Sequence, residues 1–420
     1  MKISISKSSI RGAVRAPSSK SYTIRALICA ALAEGKSEIR QPLGSEDTAA
    51  CRGIFEKLGI RVEETGNSWI VHGGRFHRPE GDLFCNESAA TQRFMTAVCS
   101  LVPGTCRLTA APSLQKRPVE PMLRPLKQLG VECGLDTSTG TISVHGGTLK
   151  GGYAEMPGDI SSQYVSALLF IAPLAREAVT IRLTTPLESK PYVMMTLAIL
   201  KTFGIIIEPS ADFQEFHAVP QRYTPATYTV EGDWSSASYL LAAGALAGEI
   251  NVTNLSQESL QADRKIVALL TAMGASVDIN GNSIQVWKSN LKSIHADLNE
   301  CIDLLLTMGI LAAAAEGTSV FNGIERARIK ESNRVSSVKT GLEAMGIRVT
   351  EETDRISITG SPLKGAVIDS HNDHRIAMAF SLLGLLASDT VIEKAECVAK
   401  TYPEFWDILE HIGGEVKNNG

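Results

Sequence analysis

A unit of about 70 residues recurs six times along this 420-residue chain, and this repeat restricts the possible folds more than any other feature. In each copy a helix-like run ends at a glycine and is followed by β-branched residues. The glycines lie 67 to 74 residues apart, at Gly59, Gly130, Gly204, Gly274, Gly346 and Gly413. Glycine commonly ends a helix because it adopts a positive φ without steric cost. Each copy therefore predicts a helix, a glycine just beyond its end and a following strand.

A second helix, rich in Ala and Leu, recurs with the same period and precedes a short strand in every copy. We predict these helices at residues 21–34, 90–103, 161–175, 235–247, 303–316 and 373–387, and the strands at residues 38–40, 105–109, 179–183, 250–254, 319–322 and 391–394. The composition of the helices predicts burial on several faces. The unit is thus of βαβαβ type.

The six units divide naturally into two groups of three, because Pro220 and Pro225 interrupt the pattern between the third and fourth copies. The sequence therefore predicts an α/β protein of two similar domains with three units each. A cleft between two such domains is the usual place for a ligand site. The alternative is an ordinary α/β protein whose helices happen to share a composition.

Composition and charge exclude several classes of protein. The net charge of −4 gives no general attraction to polyanions, and an aromatic content of 5% argues against a protein that stacks nucleic-acid bases. The eight cysteines include no CxxC pair, which fits reduced thiols in a cytosol. The N-terminus lacks the apolar core of a signal peptide, and no apolar run is long enough to span a bilayer. We therefore expect a cytoplasmic protein.

Polar residues concentrate at two equivalent places in each unit, the start of the Ala-rich helix and the loop after the strand that follows it. The helix starts carry Lys20, Ser21 and Arg25; Glu87 and Arg93; Ser161, Ser162 and Gln163; Asp233, Ser235 and Ser236; Asp303; and Asp373, His374 and Arg375. The loops carry residues 45–47, Lys116, Arg117, Ser189, Lys190, residues 257–263, residues 328–334 and Lys400. Equivalent positions should lie on one side of each domain, where helix N-termini form a receptor for anions. No GxGxxG after a strand, GxxxxGK[ST] or HExxH motif is present, so we expect no cofactor and no metal.

Each of these motifs also has a purely structural interpretation. The serines before residue 21 and around residue 161 are typical helix caps. Asp303, beside an apolar run, is compatible with an N-cap or with a carboxylate tuned for proton transfer. Lys330, Glu331 and Arg334 are compatible with a solvated helix face. The residues by themselves leave both interpretations open.

Six segments together resemble the 5-enolpyruvylshikimate-3-phosphate synthase family. They follow the family's order along the whole chain, at residues 17–35, 158–163, 189–192, 330–334, 372–375 and 399–403. The resemblance implies two domains, each of three repeated units with the helices bundled inside, the inside-out α/β barrel of the enolpyruvyl transferases. It also implies a first domain of residues 18–230 and a second of residues 1–17 and 231–420, with the active site in the cleft between them.

The resemblance implies a reaction as well. The enolpyruvyl group of phosphoenolpyruvate is transferred to the 5-hydroxyl of shikimate 3-phosphate, with release of phosphate, in the shikimate pathway to chorismate and the aromatic amino acids. The reaction proceeds by addition and elimination through a tetrahedral ketal, without metal or cofactor. The partners would be these two small molecules, with no nucleic acid and no membrane, and the protein would act as a monomer.

The family's functional residues carry over to matching positions of this chain. The resemblance implies that Asp303 accepts the 5-hydroxyl proton, that Glu331 protonates the methylene carbon and later retrieves a proton, and that Lys20 shares the proton traffic. Shikimate 3-phosphate would be bound by Lys20, Ser21, Arg25, Ser161, Ser162, Gln163, Ser189, Tyr192, Asp303 and Lys330. Phosphoenolpyruvate would be bound by Lys20, Ala89, Arg117, Gln163, Arg334, Arg375 and Lys400, since arginine forks suit phosphate and carboxylate.

Three positions depart from the family's pattern. Ala89 stands where many relatives have a glycine beside the phosphoenolpyruvate pocket, so we expect its methyl group to weaken inhibition by glyphosate. Arg326 occupies a position where some relatives have a substrate-contacting Asn, and its role is open. Asn333 replaces a frequent Asp beside the predicted cations.

Three other functions remain as alternatives. The sister enzymes that transfer enolpyruvyl to UDP-N-acetylglucosamine typically carry a cysteine in the loop that corresponds to residues 110–118, and this loop has none. RNA 3′-phosphate cyclases share related repeats, but the chain has no nucleotide motif or basic stripe. A non-catalytic anion-binding relative would have no need to retain the set Lys20, Asp303, Glu331 and Lys400.

Overall fold

Each sequence repeat folds into one four-stranded sheet with helices between its strands. The structure is a computed structural model that describes residues 1–115, 117–147, 149–387 and 389–420. In the second repeat, Leu83–Phe84 pairs in parallel with Gly104–Thr109, which pairs antiparallel with Thr141–Gly146, and that strand pairs antiparallel with Glu132–Asp136. The unit is therefore βαβαββ: it contains the predicted βαβαβ pattern and one further strand, which lies inside the sheet.

The described residues form two compact units. We name them the N-terminal unit, Ser18–Glu231, and the C-terminal unit, Met1–Pro17 with Gly232–Gly420. The strand Lys2–Ser6 pairs with two strands from the other end of the chain, so the first residues fold with the last repeats.

The N-terminal and C-terminal units contain three sheets each, and the strands of every sheet are named from one edge to the other. The N-terminal unit contains the sheets Thr227–Thr229, Gly35–Arg40, Ser68–Gly73, Arg61–Thr65; Leu83–Phe84, Gly104–Thr109, Thr141–Gly146, Glu132–Asp136; and Gly152–Met156, Val179–Leu183, Glu215–Ala218, Glu208–Pro209. The C-terminal unit contains the sheets Ser276–Asn280, Ser283–Trp287, Gly248–Thr253, Ile10–Arg15; His295–Asp297, Thr318–Asn322, Arg355–Thr359, Arg348–Glu351; and Val367–Asp369, Thr390–Glu393, Lys2–Ser6, Glu415–Asn418.

The helices of the described residues follow in chain order. Those of the N-terminal unit are α1 (Lys20–Leu32), α2 (Glu46–Lys57), α3 (Ala89–Val98), α4 (Pro112–Gln115), α5 (Glu120–Gln128), α6 (Ser162–Ile171) and α7 (Lys190–Thr202). Those of the C-terminal unit are α8 (Trp234–Ala247), α9 (Ile266–Ala272), α10 (Leu305–Ala314), α11 (Arg334–Ala344), α12 (His374–Gly384) and α13 (Phe405–His411). Short 3-10 turns lie at Cys99–Leu101, Ala172–Leu174, Ala262–Lys265, Ile302–Leu304, Glu325–Ile329 and Ala395–Lys400. None of the described helices is long and apolar enough to cross a membrane.

The six predicted Ala-rich helices are confirmed as α1, α3, α6, α8, α10 and α12, and they form the interior of the two units. Every residue of α12 is buried, and α8, α10 and α12 contact one another in pairs. In the N-terminal unit α3 packs against α1 and α6. Small residues allow this density: a Cβ added to Gly244 would lie 2.6 Å from Cγ2 of Ile250. The sheets lie outside, with strand residues that alternate between buried and exposed, as in Lys2–Ser6. This confirms the predicted inside-out α/β arrangement.

The six repeated glycines end α2, α5, α7, α9, α11 and α13, as predicted. Their φ angles all lie between 78° and 103°. After α2, for example, the N–H of Ile60 donates to the carbonyl of Phe55 at 2.9 Å, which closes the last turn. Such a hydrogen bond requires a left-handed residue between helix and strand, and only glycine adopts that conformation cheaply.

Candidate active site

Arg334 is the centre of a charge cluster in the C-terminal unit. It begins α11 and is 1% exposed. Its guanidinium donates from Nη1 to Oδ1 of Asp303 at 2.8 Å, from Nη2 to Oε2 of Glu331 at 2.5 Å and from Nε to Oδ2 of Asp373 at 2.8 Å. A buried guanidinium needs such partners because an unpaired buried charge is costly. Two residues predicted to move protons, Asp303 and Glu331, therefore lie within one hydrogen bond of the same side chain.

Asp303 lies among three cations just before α10. Its Oδ1 accepts from Arg334 and lies 3.9 Å from Nζ of Lys330, and its Oδ2 accepts from Nη2 of Arg375 at 3.0 Å. Burial raises the pKa of Asp303, but Arg375, Lys330 and Arg334 lower it by more, so the pKa lies well below its ordinary value. Asp303 is therefore ionised at neutral pH, which is the state that can accept a proton.

Lys330 contributes a cation whose charge depends on pH. Its side chain is 31% exposed and lies in the loop between the turn Glu325–Ile329 and α11. Burial of the ammonium lowers its pKa to about 8, the Asp303 carboxylate acts in the opposite direction, and the neighbouring Arg334 lowers it further. A fraction of the lysine is consequently neutral just above physiological pH.

The start of α12 connects two further predicted cations. Asp373 caps the helix, and its Oδ1 accepts the backbone N–H of Arg375 at 3.0 Å. His371 and Asn372, which precede it, have φ angles of 53° and 56°. The carbonyl of Asn372 accepts a hydrogen bond from Nζ of Lys400 at 2.6 Å. Left-handed backbone in residues other than glycine is costly and clusters at ligand sites, and here it links Lys400 to the helix that carries Arg375.

Asp263 is a buried carboxyl near the partly exposed Asp303. It is 2% exposed, and its Oδ2 accepts a hydrogen bond from the hydroxyl of Ser235. Burial and then the negative charge of Asp303 raise the pKa of Asp263 to about 7, against the opposing effect of Arg375. Two carboxyls near one another thus have pKa values that are shifted in opposite directions, a pattern typical of sites that transfer protons.

Lys20 opens α1 in the N-terminal unit and is held by a carboxylate. Its Nζ donates to Oδ2 of Asp47 at 2.9 Å, and their side chains are 20% and 10% exposed. Asp47 lies in the first turn of α2, so this ion pair joins the starts of two helices. The capping interpretation also holds at this site, because Ser19 accepts the backbone N–H of Tyr22.

Arg25, which is predicted to bind the substrate carboxylate, is a buried residue that contacts both α1 and α7. It is 2% exposed, its guanidinium stacks 5.2 Å from the ring centre of Phe94, and burial lowers its pKa to about 10. Its nitrogens donate to Oγ1 of Thr196 at 2.9 Å and to the carbonyls of Ser21 at 3.0 Å and Tyr192 at 3.3 Å. The structure therefore brings Ser21 and Tyr192 together through Arg25, and Arg25 ties α1 to α7.

The start of α6 brings Ser161 and Gln163 into contact with a residue of α3. Nη1 of Arg93 donates to Oε1 of Gln163 at 2.8 Å and to Oγ of Ser161 at 3.1 Å. Ser161 is also the N-cap of α6, where it accepts the backbone N–H of Gln163 at 3.3 Å. The capping and the functional interpretations of this serine are thus compatible.

The remaining predicted residues occupy the starts of helices or the loops beside them. Ser162 is the first residue of α6 and is 7% exposed, and Ser189 has a φ of 52° just before α7. Ala89 is the first residue of α3 and is 7% exposed. Arg117 follows α4, and its backbone N–H donates to the carbonyl of Leu114 at 3.1 Å. Lys116 lies outside the described residues.

A family model described as EPSP synthase (3-phosphoshikimate 1-carboxyvinyltransferase) matches residues 5–409. The chain belongs to this family. The matched range spans all the residues that the sequence resemblance singled out, and it covers all of the N-terminal unit and most of the C-terminal unit.

Two relatives within the EPSP synthase family show how far the similarity extends. The 3-phosphoshikimate 1-carboxyvinyltransferase of Dehalococcoides mccartyi is 50% identical over 418 residues, which cover 99% of each chain. The protein of the same description from Methanosphaera stadtmanae is 38% identical and covers 97% of this chain and 98% of its own.

Solved structures agree with the EPSP synthase fold. An EPSP synthase from Acinetobacter baumannii superimposes with a TM-score of 0.83 at 28% identity, over 99% of this chain and 100% of that one. The enolpyruvyl transferase NikO from Streptomyces tendae superimposes with a TM-score of 0.80 over 99% of this chain and 98% of its own, at 18% identity, which shows a shared fold alone.

Three residues that organise the predicted site were not among the predicted site residues. Asp373 holds Arg334, Asp47 holds Lys20, and Arg93 holds Gln163. Each lies in one of the polar clusters that the repeat pattern singled out at helix starts and loops. The sequence therefore showed the polar clusters, but it did not show which residue of one cluster pairs with which residue of another.

Proposed function

We propose that these two sets of residues, one in each unit, carry out the 3-phosphoshikimate 1-carboxyvinyltransferase reaction of this chain. The enzyme transfers the enolpyruvyl group of phosphoenolpyruvate to the 5-hydroxyl of shikimate 3-phosphate and releases phosphate. One observation carries the assignment of residues: two carboxylates, Asp303 and Glu331, share the buried Arg334, with Lys330 and Arg375 beside them. Such a site supplies both anion binding and groups that move protons.

The proposed steps balance as an addition followed by an elimination. In the addition, the 5-hydroxyl oxygen bonds to C2 of phosphoenolpyruvate, Asp303 accepts the hydroxyl proton, and the methylene carbon takes a proton from Glu331. In the elimination, the bond between C2 and the phosphate oxygen breaks, and the methyl group returns a proton to Glu331. Phosphate leaves with the electron pair and takes up the proton that Asp303 accepted, so both carboxyls return to their starting states. Lys20 assists by binding phosphate and sharing the proton traffic.

The binding roles are proposed for the remaining residues in two groups. Shikimate 3-phosphate is assigned to Lys20, Ser21, Arg25, Ser161, Ser162, Gln163, Ser189, Tyr192, Asp303 and Lys330. Phosphoenolpyruvate is assigned to Lys20, Ala89, Arg117, Gln163, Arg334, Arg375 and Lys400. Ser21 and Arg25 are assigned to the carboxylate of shikimate 3-phosphate, and Arg25 also donates to the backbone carbonyls of Ser21 and Tyr192.

Phosphate release is the experiment that tests this function. We would follow it from phosphoenolpyruvate in the presence of EDTA, with shikimate 3-phosphate or UDP-N-acetylglucosamine as the acceptor. We expect release with shikimate 3-phosphate alone. Release only with the sugar nucleotide would instead indicate the sister activity, and release with neither acceptor, from folded protein, would favour a non-catalytic anion-binding protein.

We further propose that the enzyme acts in the cytoplasm and as a monomer. Light scattering would test the monomer, by comparing the mass in solution with the chain mass of 45.0 kDa.

The affinity for shikimate 3-phosphate should fall as pH rises through about 8. The Lys330 ammonium has a pKa of about 8 in the free protein, and the substrate phosphate is fully charged above pH 7. Because only the charged lysine attracts the phosphate, the dissociation constant should be flat near pH 7 and then rise toward about tenfold per pH unit. Calorimetric titration between pH 6.5 and 9.5 measures this. Lys330→Arg, which stays charged, should remove the rise; a flat profile in the unchanged protein would contradict the assignment.

Ala89→Gly should make the enzyme more sensitive to glyphosate. The alanine methyl group lies at the first residue of α3, where it is 7% exposed, and we propose that it borders the phosphoenolpyruvate site. Removing a crowding methyl group relieves about 1–3 kcal/mol, so the inhibition constant should fall roughly 5- to 150-fold. Steady-state inhibition measures this, and Ala90→Gly on the next residue is the control for a general loosening of the helix. An unchanged inhibition constant in Ala89→Gly would remove the residue from the pocket.

A further inference from the structure

Arg93 has no role in the proposed mechanism and is not among the residues assigned to either substrate. It lies in α3, and one of its terminal nitrogens, Nη1, donates both to Oε1 of Gln163 at 2.8 Å and to Oγ of Ser161 at 3.1 Å. Both acceptors belong to the proposed substrate-binding residues at the start of α6. One guanidinium nitrogen therefore sets the hydrogen bonding of two binding residues at once.

This contact determines which part of the Gln163 amide is presented to a ligand. A guanidinium can only donate hydrogen bonds, so the amide must turn its oxygen toward Arg93. The amide nitrogen, with its two N–H groups, then remains to interact elsewhere. Without Arg93 the side chain could turn over and present either its oxygen or its nitrogen to a ligand.

The hydroxyl of Ser161 is determined in the same way. Its oxygen accepts the backbone N–H of Gln163 at 3.3 Å and the Nη1–H of Arg93 at 3.1 Å. A hydroxyl oxygen has two lone pairs, and these two bonds occupy both. Its remaining capacity is the O–H group, which can only donate. Arg93 thus converts two residues that could donate or accept into donors.

Neighbouring contacts hold Arg93 in place. Its guanidinium lies 4.9 Å from the ring centre of Tyr164, which is fully buried. The hydroxyl of Tyr164 donates to the carbonyl of Pro118, the residue after Arg117. Because the planar guanidinium lies over this aromatic ring, its orientation is restricted. The two hydrogen bonds that Arg93 donates therefore start from a fixed position.

We propose that Arg93 is a positioning residue that determines specificity: it turns Ser161 and Gln163 into hydrogen-bond donors toward an oxyanion of the substrate. Phosphate oxygens only accept hydrogen bonds when they are fully ionised, so an array of donors favours them over neutral hydroxyl groups. This inference rests on the proposed function for the identity of the ligand, shikimate 3-phosphate. It adds a residue that acts through its neighbours and need not touch the substrate.

A double-mutant cycle tests this inference. Arg93→Ala should raise the dissociation constant of shikimate 3-phosphate about 10- to 100-fold, because two charge-assisted hydrogen bonds are lost. In a protein that already carries Ser161→Ala and Gln163→Ala, the same change should cost less than about threefold. The ratio of affinities for shikimate 3-phosphate and unphosphorylated shikimate should fall in Arg93→Ala as well. A merely structural arginine would cost the same in both backgrounds and leave this ratio unchanged.

The controls separate failure of this inference from failure of the proposed function. Phosphate release by the unchanged protein comes first, because its absence with shikimate 3-phosphate overturns the function and the inference together. Tyr164→Phe removes only the hydroxyl contact with Pro118 and should retain the preference for the phosphorylated ligand. If Arg93→Ala does not fold, Arg93→Lys retains the charge with a different donor geometry and should show a smaller loss of the same kind. Equal effects in both backgrounds, in an active enzyme, overturn the inference.

Discussion

Asp303→Asn should lower kcat for phosphate release by about 100- to 10,000-fold, the range expected when a general base is lost. The asparagine has nearly the same shape, and its one carbonyl oxygen can still accept a hydrogen bond from Arg334 or from Arg375, whereas its amide nitrogen can only donate. It cannot take the proton of the 5-hydroxyl group. The affinity for shikimate 3-phosphate should change far less than kcat. Steady-state phosphate release, together with a calorimetric dissociation constant, separates the two effects.

Asp303 has a low pKa in the free protein, so it can act as the base only if substrate binding raises that pKa. A carboxylate held ionised by Arg375, Lys330 and Arg334 is a weak base. We propose that Arg334 and Arg375 bind phosphoenolpyruvate, so the substrate's negative charges would partly cancel the field of these cations. The pKa of Asp303 would then rise toward the range in which it can accept a proton. Asp303 would thus become an effective base only after the substrate is bound.

Asp373→Asn is the matched control for Asp303→Asn. Asp373 also accepts hydrogen bonds from the guanidinium of Arg334, but its side chain is fully buried and caps α12. Asparagine is also a good N-cap. Both substitutions remove one negative charge near Arg334, so both should lower stability in urea unfolding. Only Asp303→Asn should remove the base; equal losses of kcat in the two variants would mean that Asp303 acts through Arg334 alone.

The repeat pattern predicted the fold well because it depends on local chemistry. A glycine with positive φ and a run of small apolar residues specify a helix end and a buried helix within a few residues of sequence. The sequence pattern missed one strand of the repeat, such as Thr141–Gly146 in the second copy. This strand lies inside its sheet and pairs with a neighbour on both sides. Its place depends on pairing with strands that come earlier in the chain, which a local pattern does not reveal.

The site was predictable by residue type but not by pairing. Asp303, Lys330, Glu331, Arg334 and Arg375 were all expected in one site, and the structure places them in one network. That Arg334 is held by a carboxylate 39 residues away follows only from the packing of α11 against α12.

The contacts that Arg25 makes within the protein could not be predicted from the sequence. The resemblance assigned it to the substrate carboxylate, and the structure places it between α1 and α7 with its nitrogens bonded to Thr196 and two carbonyls. Sequence shows that a cation is present at a helix start. It does not show how many of the donors of that cation the protein itself will occupy.

Glu331→Gln should also lower kcat by about 100- to 10,000-fold. It should in addition slow the exchange of deuterium into the methylene group, which shows whether Glu331 protonates the methylene carbon. Glu331 is 22% exposed and accepts from Arg334 at 2.5 Å, a contact that the glutamine oxygen can keep. The amide cannot donate a proton to the methylene carbon. In D2O, transient protonation of this carbon exchanges deuterium into the methylene group, so mass spectrometry of product and recovered phosphoenolpyruvate reports on the proton transfer itself.

Glu351→Gln is the matched control, because Glu351 is 19% exposed and accepts from Arg328 at 2.5 Å in the same unit. It should leave both turnover and deuterium exchange within about threefold of the unchanged enzyme, as expected for an ion pair away from the reacting atoms. If Glu331→Gln loses turnover but exchanges deuterium at the normal rate per turnover, another group protonates the methylene carbon. Lys20 would then be the residue to change next, since its ammonium is the other proton donor assigned to the reaction.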